Sequence, residues 1–225
     1  MMISPESYYE EYLKGKTKEE IMTVIRGLKQ EIGHLKNSME NPYDGMKTVI
    51  HPSEDTRIYW SREYLDIAKQ VYAEVGGTYT LSKSEQKGAD FDANIDAICK
   101  ITFSIGGFFG GYWSHVVELT DGLKAYTKLW ENEEPLLLLD DNEEPFTKNS
   151  HIAVLKELHI GEWRRRYTTK RFGYMVLDGT QWELEFEYNN GHKPVKFDGD
   201  NSYPYNFDKF QMLFGIDDPE EDEDE

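Results

Sequence analysis

Gln181-Trp182-Glu183-Leu184-Glu185-Phe186-Glu187-Tyr188 alternates large apolar and polar residues over eight positions. A period of two is the mark of a β-strand with one face in a core and the other in water. Trp182, Leu184, Phe186 and Tyr188 take the inner side, and Gln181, Glu183, Glu185 and Glu187 the outer. On either side lie Asp178-Gly179 and Asn189-Asn190-Gly191, turn sequences in which glycine accepts positive φ. Flanking strands are expected over 171–177 and 193–198, which makes an antiparallel meander.

Upstream the same period recurs. Over Ile98–Ile105, Ile98, Lys100, Thr102 and Ser104 alternate with Cys99, Ile101, Phe103 and Ile105. Gly106-Gly107-Phe108-Phe109-Gly110-Gly111 follows, then strands near 112–119 and 123–130 around Asp121-Gly122. The acidic run 131–145 reads as a loop. Residues 147–158 read as a helix with Ile152, Leu155 and Leu158 inside, and a last short helix is expected from Asn206 to Phe214.

The first third has the other period. Thr17 and Glu20 form a capping box, and Ile21, Ile25, Leu28, Ile32, Leu35 and Met39 fall at alternating spacings of four and three along a helix of about 17–40. Ser53 caps a second helix whose apolar face is Ile58, Leu65, Ala68, Tyr72 and Val75, flanked by Tyr64 and Val71, and Gly76-Gly77 ends it. A shorter helix is expected over 5–14. The spacing predicts an antiparallel helical hairpin, its seam closing on the neighbouring helix; three heptads are short for a coiled coil with a second copy. The expected class is α+β: a helical hairpin region over 1–77, a polar linker over 78–90, an α+β region with antiparallel meanders and two short helices over 91–216, and a disordered acidic tail over 217–225.

Composition narrows the function classes. The net charge is −18, against broad affinity for nucleic acid or anionic membrane. Residues 78–160 hold 7 basic and 14 acidic side chains, and eight of the last nine residues are acidic, so the excess sits in the middle and the tail. Such charge serves solubility, or it draws the chain to a basic protein surface. The single Cys99 fits a reducing compartment, the polar N-terminus reads as no secretory leader, and no apolar run could span a bilayer, so a cytoplasmic location without membrane contact is expected.

No motif of catalysis, metal or cofactor binding stands out, and none is expected. The six histidines form no paired motif, and Cys99 reads as a buried structural thiol. The GGFFGG segment lacks the phosphate-loop pattern, and Asp198-Gly199-Asp200-Asn201 fails the calcium-loop pattern. Three features are candidates for contact. Glu183, Glu185 and Glu187 offer either a solvated face or an acidic docking face, joined by Glu143 and Glu144 of the acidic loop. Phe108, Phe109, Tyr112 and Trp113 cannot all turn inward from so short a segment, so Phe108, Phe109 and Trp113 are candidate anchors. Arg164, Arg165, Arg166, Lys170 and Arg171 form the one basic cluster, either paired internally or touching phosphate or an acidic surface.

Leu158-His159-Ile160-Gly161-Glu162-Trp163, Leu177-Asp178-Gly179-Thr180-Gln181-Trp182, Asn190-Gly191 and Gly199 through Tyr203-Pro204-Tyr205-Asn206-Phe207 resemble the C-terminal module of a group of uncharacterised bacterial accessory proteins often found on mobile elements. Ser4-Pro5-Glu6-Ser7-Tyr8-Tyr9 is similar as well. The resemblance brings no activity and no catalytic residues. A mobile-element setting implies a role against host defence, including inhibition of CRISPR effectors. The expected function is thus an acidic interaction module, an inhibitor or regulator, that occupies a basic, nucleic-acid-binding surface of a protein partner. Alternatives are a nucleic-acid-binding accessory protein using Arg164–Arg166, and a hydrolase whose site assembles only in the fold. The oligomeric state is not fixed by the sequence.

Overall fold

The computed structural model describes residues 2–41, 51–107, 111–130, 132–140, 142–176 and 178–216. The chain forms two compact units, Met1–Leu81 and Ser82–Glu225. Among the described residues the architecture is mixed α and β, with six α-helices and one seven-stranded, mostly antiparallel sheet.

In the first unit, α1 (Pro5–Tyr8) runs into a π-helical turn at Tyr9–Leu13. Helix α2 (Lys18–Met39) starts at the Thr17–Glu20 capping box, and α3 (Glu54–Glu74) at the Ser53 cap. Ile21, Ile25, Leu28 and Ile32 of α2 share a core with Tyr64, Leu65, Ala68 and Val71 of α3 and with Tyr8 and Leu13. The Tyr64 hydroxyl, inside this core, donates to the Ile3 carbonyl at 2.8 Å and accepts from the Ile3 N–H at 3.1 Å. Its ring stacks on Tyr8 with centroids 4.0 Å apart. Val75, expected on the apolar face, is exposed: it caps the helix end after the stripe has turned away from the core.

The second unit opens with α4 (Lys83–Asn94), which replaces the linker expected over 78–90. Ser82 and Glu85 build a second capping box, and Phe91 anchors the helix in the core. The strands are β1 (Ile98–Gly107), β2 (Gly111–Glu118), β3 (Lys124–Leu129) and β4 (Asn132–Pro135), then β5 (Arg166–Thr168), β6 (Thr180–Tyr188) and β7 (Val195–Asp200). Between them lies α5 (Lys148–Glu157), and α6 (Phe207–Met212) follows. The sheet order is β4-β3-β2-β1-β6-β7-β5, with only β5 and β7 parallel.

Three expectations are corrected here. Part of the acidic run read as a loop is strand β4, paired to β3 from Leu129↔Asn132 to Tyr126↔Pro135. The strand expected over 171–177 is absent among the described residues: Thr169–Phe172 form a 3₁₀ turn, and Gly173 turns the chain at φ 83°. A strand needs a neighbour, and beside β7 that place is taken by Arg166–Thr168. In β1 the register to β6 slips between Ile98 and Lys100, so Cys99 is an extra residue. Ile98 thereby joins Ile101 and Phe103 inside, while Cys99 is half-exposed and its thiol points to the Glu187 carbonyl at 3.4 Å. The tail 217–225 lies outside the described residues.

One face of the sheet is buried under an aromatic core of Phe103, Trp182, Phe207, Phe210, Phe214 and Trp163. Trp163 donates to Asn206 Oδ1 at 3.0 Å, Asn206 Nδ2 donates to the Leu158 carbonyl at 2.8 Å, and Trp182 donates to the Ser202 carbonyl at 3.0 Å. A Cβ at Gly199 would sit 2.0 Å from the Trp182 indole nitrogen, so only glycine fits there. Trp163, Trp182, Gly199, Asn206 and Phe207, all among the residues that carry the resemblance, are therefore packing residues.

Candidate functional site

The antiparallel order gathers four chain segments at one end of the sheet. There β1 leaves at Gly106-Gly107, β2 enters at Gly111-Tyr112, β3 ends before Trp130, and β6 begins after Asp178-Gly179. They enclose an open cavity of about 670 Å³ lined by Gly107, Gly111, Tyr112, Trp130, Asp178, Gly179 and Gln181. That volume is within the usual range for small-ligand sites.

The glycines make its floor. Gly107 pairs with Gly111 on one side and Thr180 on the other, and a Cβ on Gly107 would lie 2.7 Å from the Gly179 carbonyl oxygen. Gly106 separates Tyr112 from Gln181 in the ladder. With no side chain between them, the Tyr112 hydroxyl crosses β1 and donates to Gln181 Oε1 at 2.8 Å.

Trp130 makes the wall. Leu129 pairs with Asn132, so the β3–β4 connection is two residues long and begins with Trp130. Its φ is 58°, the left-handed region that favours Gly, Asn or Asp in such turns. A left-handed L-residue costs roughly 1–2 kcal/mol. The indole recovers little by burial, being 87% exposed. A strained, bulky, solvated aromatic points to a role outside folding. Tyr112, 51% exposed, stands beside the same cavity. Trp113 projects to the other side of β2, in the row of Ile105 and Trp182, and is 44% exposed at the sheet end.

The glutamates are placed differently from one another. On the outer face, Lys124, Glu118, Lys100 and Glu187 align across four strands with alternating sign. Glu187 pairs with Lys100 at 2.8 Å, and Glu185 with Lys196 at 2.9 Å. Side-chain bonding to Glu187 raises the Lys100 pKa, against the opposing effect of partial burial. Glu183 has no cationic partner among the described residues and faces Ser104 and Asp198 across the ladder. Two of the three are thus neutralised, and the face is a mixed lattice of charge. Glu143 and Glu144 are exposed on a tight turn held by Asp140, whose carboxylate accepts from the N–H groups of Asn142 and Glu144 at 2.9 and 3.1 Å.

The arginine run is divided by strand alternation. Arg165, an exposed residue just before β5, lies 4.5 Å from the centroid of the buried Phe197 ring, where partial desolvation lowers its pKa. Arg166 pairs with Asp198 at 3.3 Å on the outer side. Arg171 lies over Phe172, and Lys170 is exposed. Phe108 and Phe109 lie outside the described residues.

The histidines are scattered, as their spacing implies. His151 is fully buried between Phe146 and Phe214, and burial pushes its pKa down to about 4, with the Leu213 backbone opposing. His192 spends one ring nitrogen on the Lys193 carbonyl at 2.8 Å and the other on Asp90 at 3.0 Å. Among the described residues no three His, Cys, Asp or Glu side chains gather as metal ligands, and no helix is long and apolar enough to cross a membrane.

No family model, no curated protein and no solved structure matches the chain. The site therefore has to be read from its own chemistry. The sequence singles out Gly106–Trp113 through its glycines and aromatics, whereas Trp130, Asp178 and Gln181, which line the same cavity, carry no such pattern. The available signal was Trp130 itself, a bulky residue in a hairpin connection where turn formers are the rule.

Proposed function

We propose that this chain is a protein-interaction module that engages a basic surface of a partner with its aromatic sheet end and the acidic groups around it. The observation that carries this reading is Trp130, exposed and strained at the mouth of a cavity it shares with Tyr112 and Asp178. Exposed aromatics dominate interface energies, and a chain of charge −18 steers toward positive surfaces. The mechanism is competition: the module covers a surface that otherwise holds nucleic acid and so inhibits or regulates its owner. Glu183, Glu143 and Glu144 add long-range attraction, which weakens as salt screens it. Glu185 and Glu187 contribute less, being paired to lysines.

Affinity capture from host lysate tests the reading when run with three proteins: the natural chain, Trp130→Ala, and a Glu183→Lys, Glu143→Lys, Glu144→Lys triple variant. A stoichiometric protein partner retained by the first and lost by both variants is expected. A partner retained equally by all three sinks the proposal. Recovery of nucleic acid alone, removed by nuclease, transfers the function to the arginines.

A further inference from the structure

We propose that the cavity at the sheet end holds the side chain of an arginine from a basic protein segment, an inference that rests on the reading above and gives it a chemistry. Three properties of the cavity point to that occupant. Trp130 and Tyr112 present exposed aromatic rings, and a guanidinium stacks on such faces by cation–π attraction. Asp178 lines the same space, and its carboxylate has no cationic partner among the described residues, so it is ready to accept the two parallel N–H groups of a guanidinium. Gln181 spends Oε1 on the Tyr112 hydroxyl, which leaves its amide N–H groups for a peptide carbonyl.

The glycine floor supplies the fit. At Gly111, where a Cβ would meet nothing within 4 Å, bare backbone lets an extended segment approach closely while its side chain enters the cavity that Trp130 and Tyr112 line. Charge selects against the other ligands that stack on aromatics. Phosphate-bearing bases meet Asp178 and a chain of charge −18, and an uncharged sugar leaves the carboxylate without a counter-charge. Lysine gains the carboxylate but neither the planar stacking nor the fork.

The test uses the full chain with 5-fluorotryptophan and reads ¹⁹F resonances, the signal lost in Trp130→Phe belonging to Trp130. Hexa-arginine peptide should shift that resonance at low salt and leave the buried Trp182 signal in place. Asp178→Asn should weaken the affinity about tenfold. Asp121→Asn removes an equal charge from another exposed turn and should change it less than about twofold. Hexa-lysine should bind several-fold more weakly than hexa-arginine. Equal losses from Asp178→Asn and Asp121→Asn would reduce the effect to general charge attraction and overturn the site. A Trp130 shift with maltohexaose but not with the peptides would overturn it in favour of a sugar. If hexa-arginine leaves Trp130 unmoved while lysate capture still yields a partner lost in the variants, the arginine assignment fails and the interaction reading stands. Loss of capture with a persistent Asp178-dependent arginine shift gives the reverse.

Discussion

Replacing Trp130 with asparagine should make this protein more stable. Asparagine tolerates the left-handed backbone at the first position of a two-residue hairpin, so most of the roughly 1–2 kcal/mol of strain is relieved. Against this stands the little burial that Trp130 has. At 87% exposure it hides roughly a tenth of its surface, about 25 Å², worth about 0.6 kcal/mol at about 25 cal/mol per Å². The net gain is about 1 kcal/mol, which in a chain of this size raises the melting temperature by about 2–4 °C. Urea unfolding of the full chain, with a fluorescence transition dominated by Trp163 and Trp182, measures it. Trp130→Phe keeps the strained backbone and serves as control, expected within about 0.5 kcal/mol of the natural chain. A loss of more than about 1 kcal/mol in Trp130→Asn would mean that the ring supports the fold, and the argument from strain to binding would collapse.

Other outcomes follow from the core and the caps. His151 stays neutral in the fold to about pH 4, whereas in the unfolded chain it takes a proton near its ordinary value of 6.5. Its folded pKa is depressed, so the stability present above pH 6.5 is lost as pH falls from 6.5 toward 4, by up to about 3 kcal/mol; His151→Leu should flatten that part of a pH series of unfolding curves. Asn206→Ala strands the Trp163 indole N–H and the Leu158 carbonyl in the core and should cost about 3 kcal/mol in urea unfolding. Ser82→Ala removes the cap of α4 and should cost about 1 kcal/mol, with amide exchange rising first across residues 83–90. Gly107→Ala drives a Cβ against the Gly179 carbonyl and should lower both stability and any binding at the sheet end.

Much of this architecture is readable from local pattern, and its failures have physical causes. The α2 seam and the β6 alternation are legible because one face of each is buried along its length. Helix α4 is hidden by its polar composition, since it meets the core mainly through Phe91 and approaches a second 3₁₀ turn, Ile160–Glu162, through Gly88, whose Cβ would touch the Gly161 carbonyl at 3.3 Å. Its Ser82–Glu85 box was the visible clue. A bulge such as that at Cys99 depends on how two strands align, which no single strand encodes. Phe172, Tyr174 and Val176 alternate like a strand, yet the 3₁₀ turn at Thr169–Phe172 and the positive φ of Gly173 break the extended backbone, and alternation alone cannot show that. Of the candidate site, the glycines and Tyr112 could be found from sequence. Asp178, Gln181 and Trp130 are far from them along the chain and meet only through the strand order.

The two ends of the strand order decide how a partner can approach. One border strand is β4, four residues that include Glu133, Glu134 and Pro135, and proline offers no N–H to a newcomer. The other is β5, only three residues long. Neither presents the long, regular row of free N–H and C=O groups that strand addition requires. A sheet built this way resists stacking into fibrils when the protein is concentrated. Under the proposed function, recognition falls to side chains rather than to backbone pairing, so substitutions of the exposed Trp130 or Asp178 should change binding specificity and leave the ladder beneath in place.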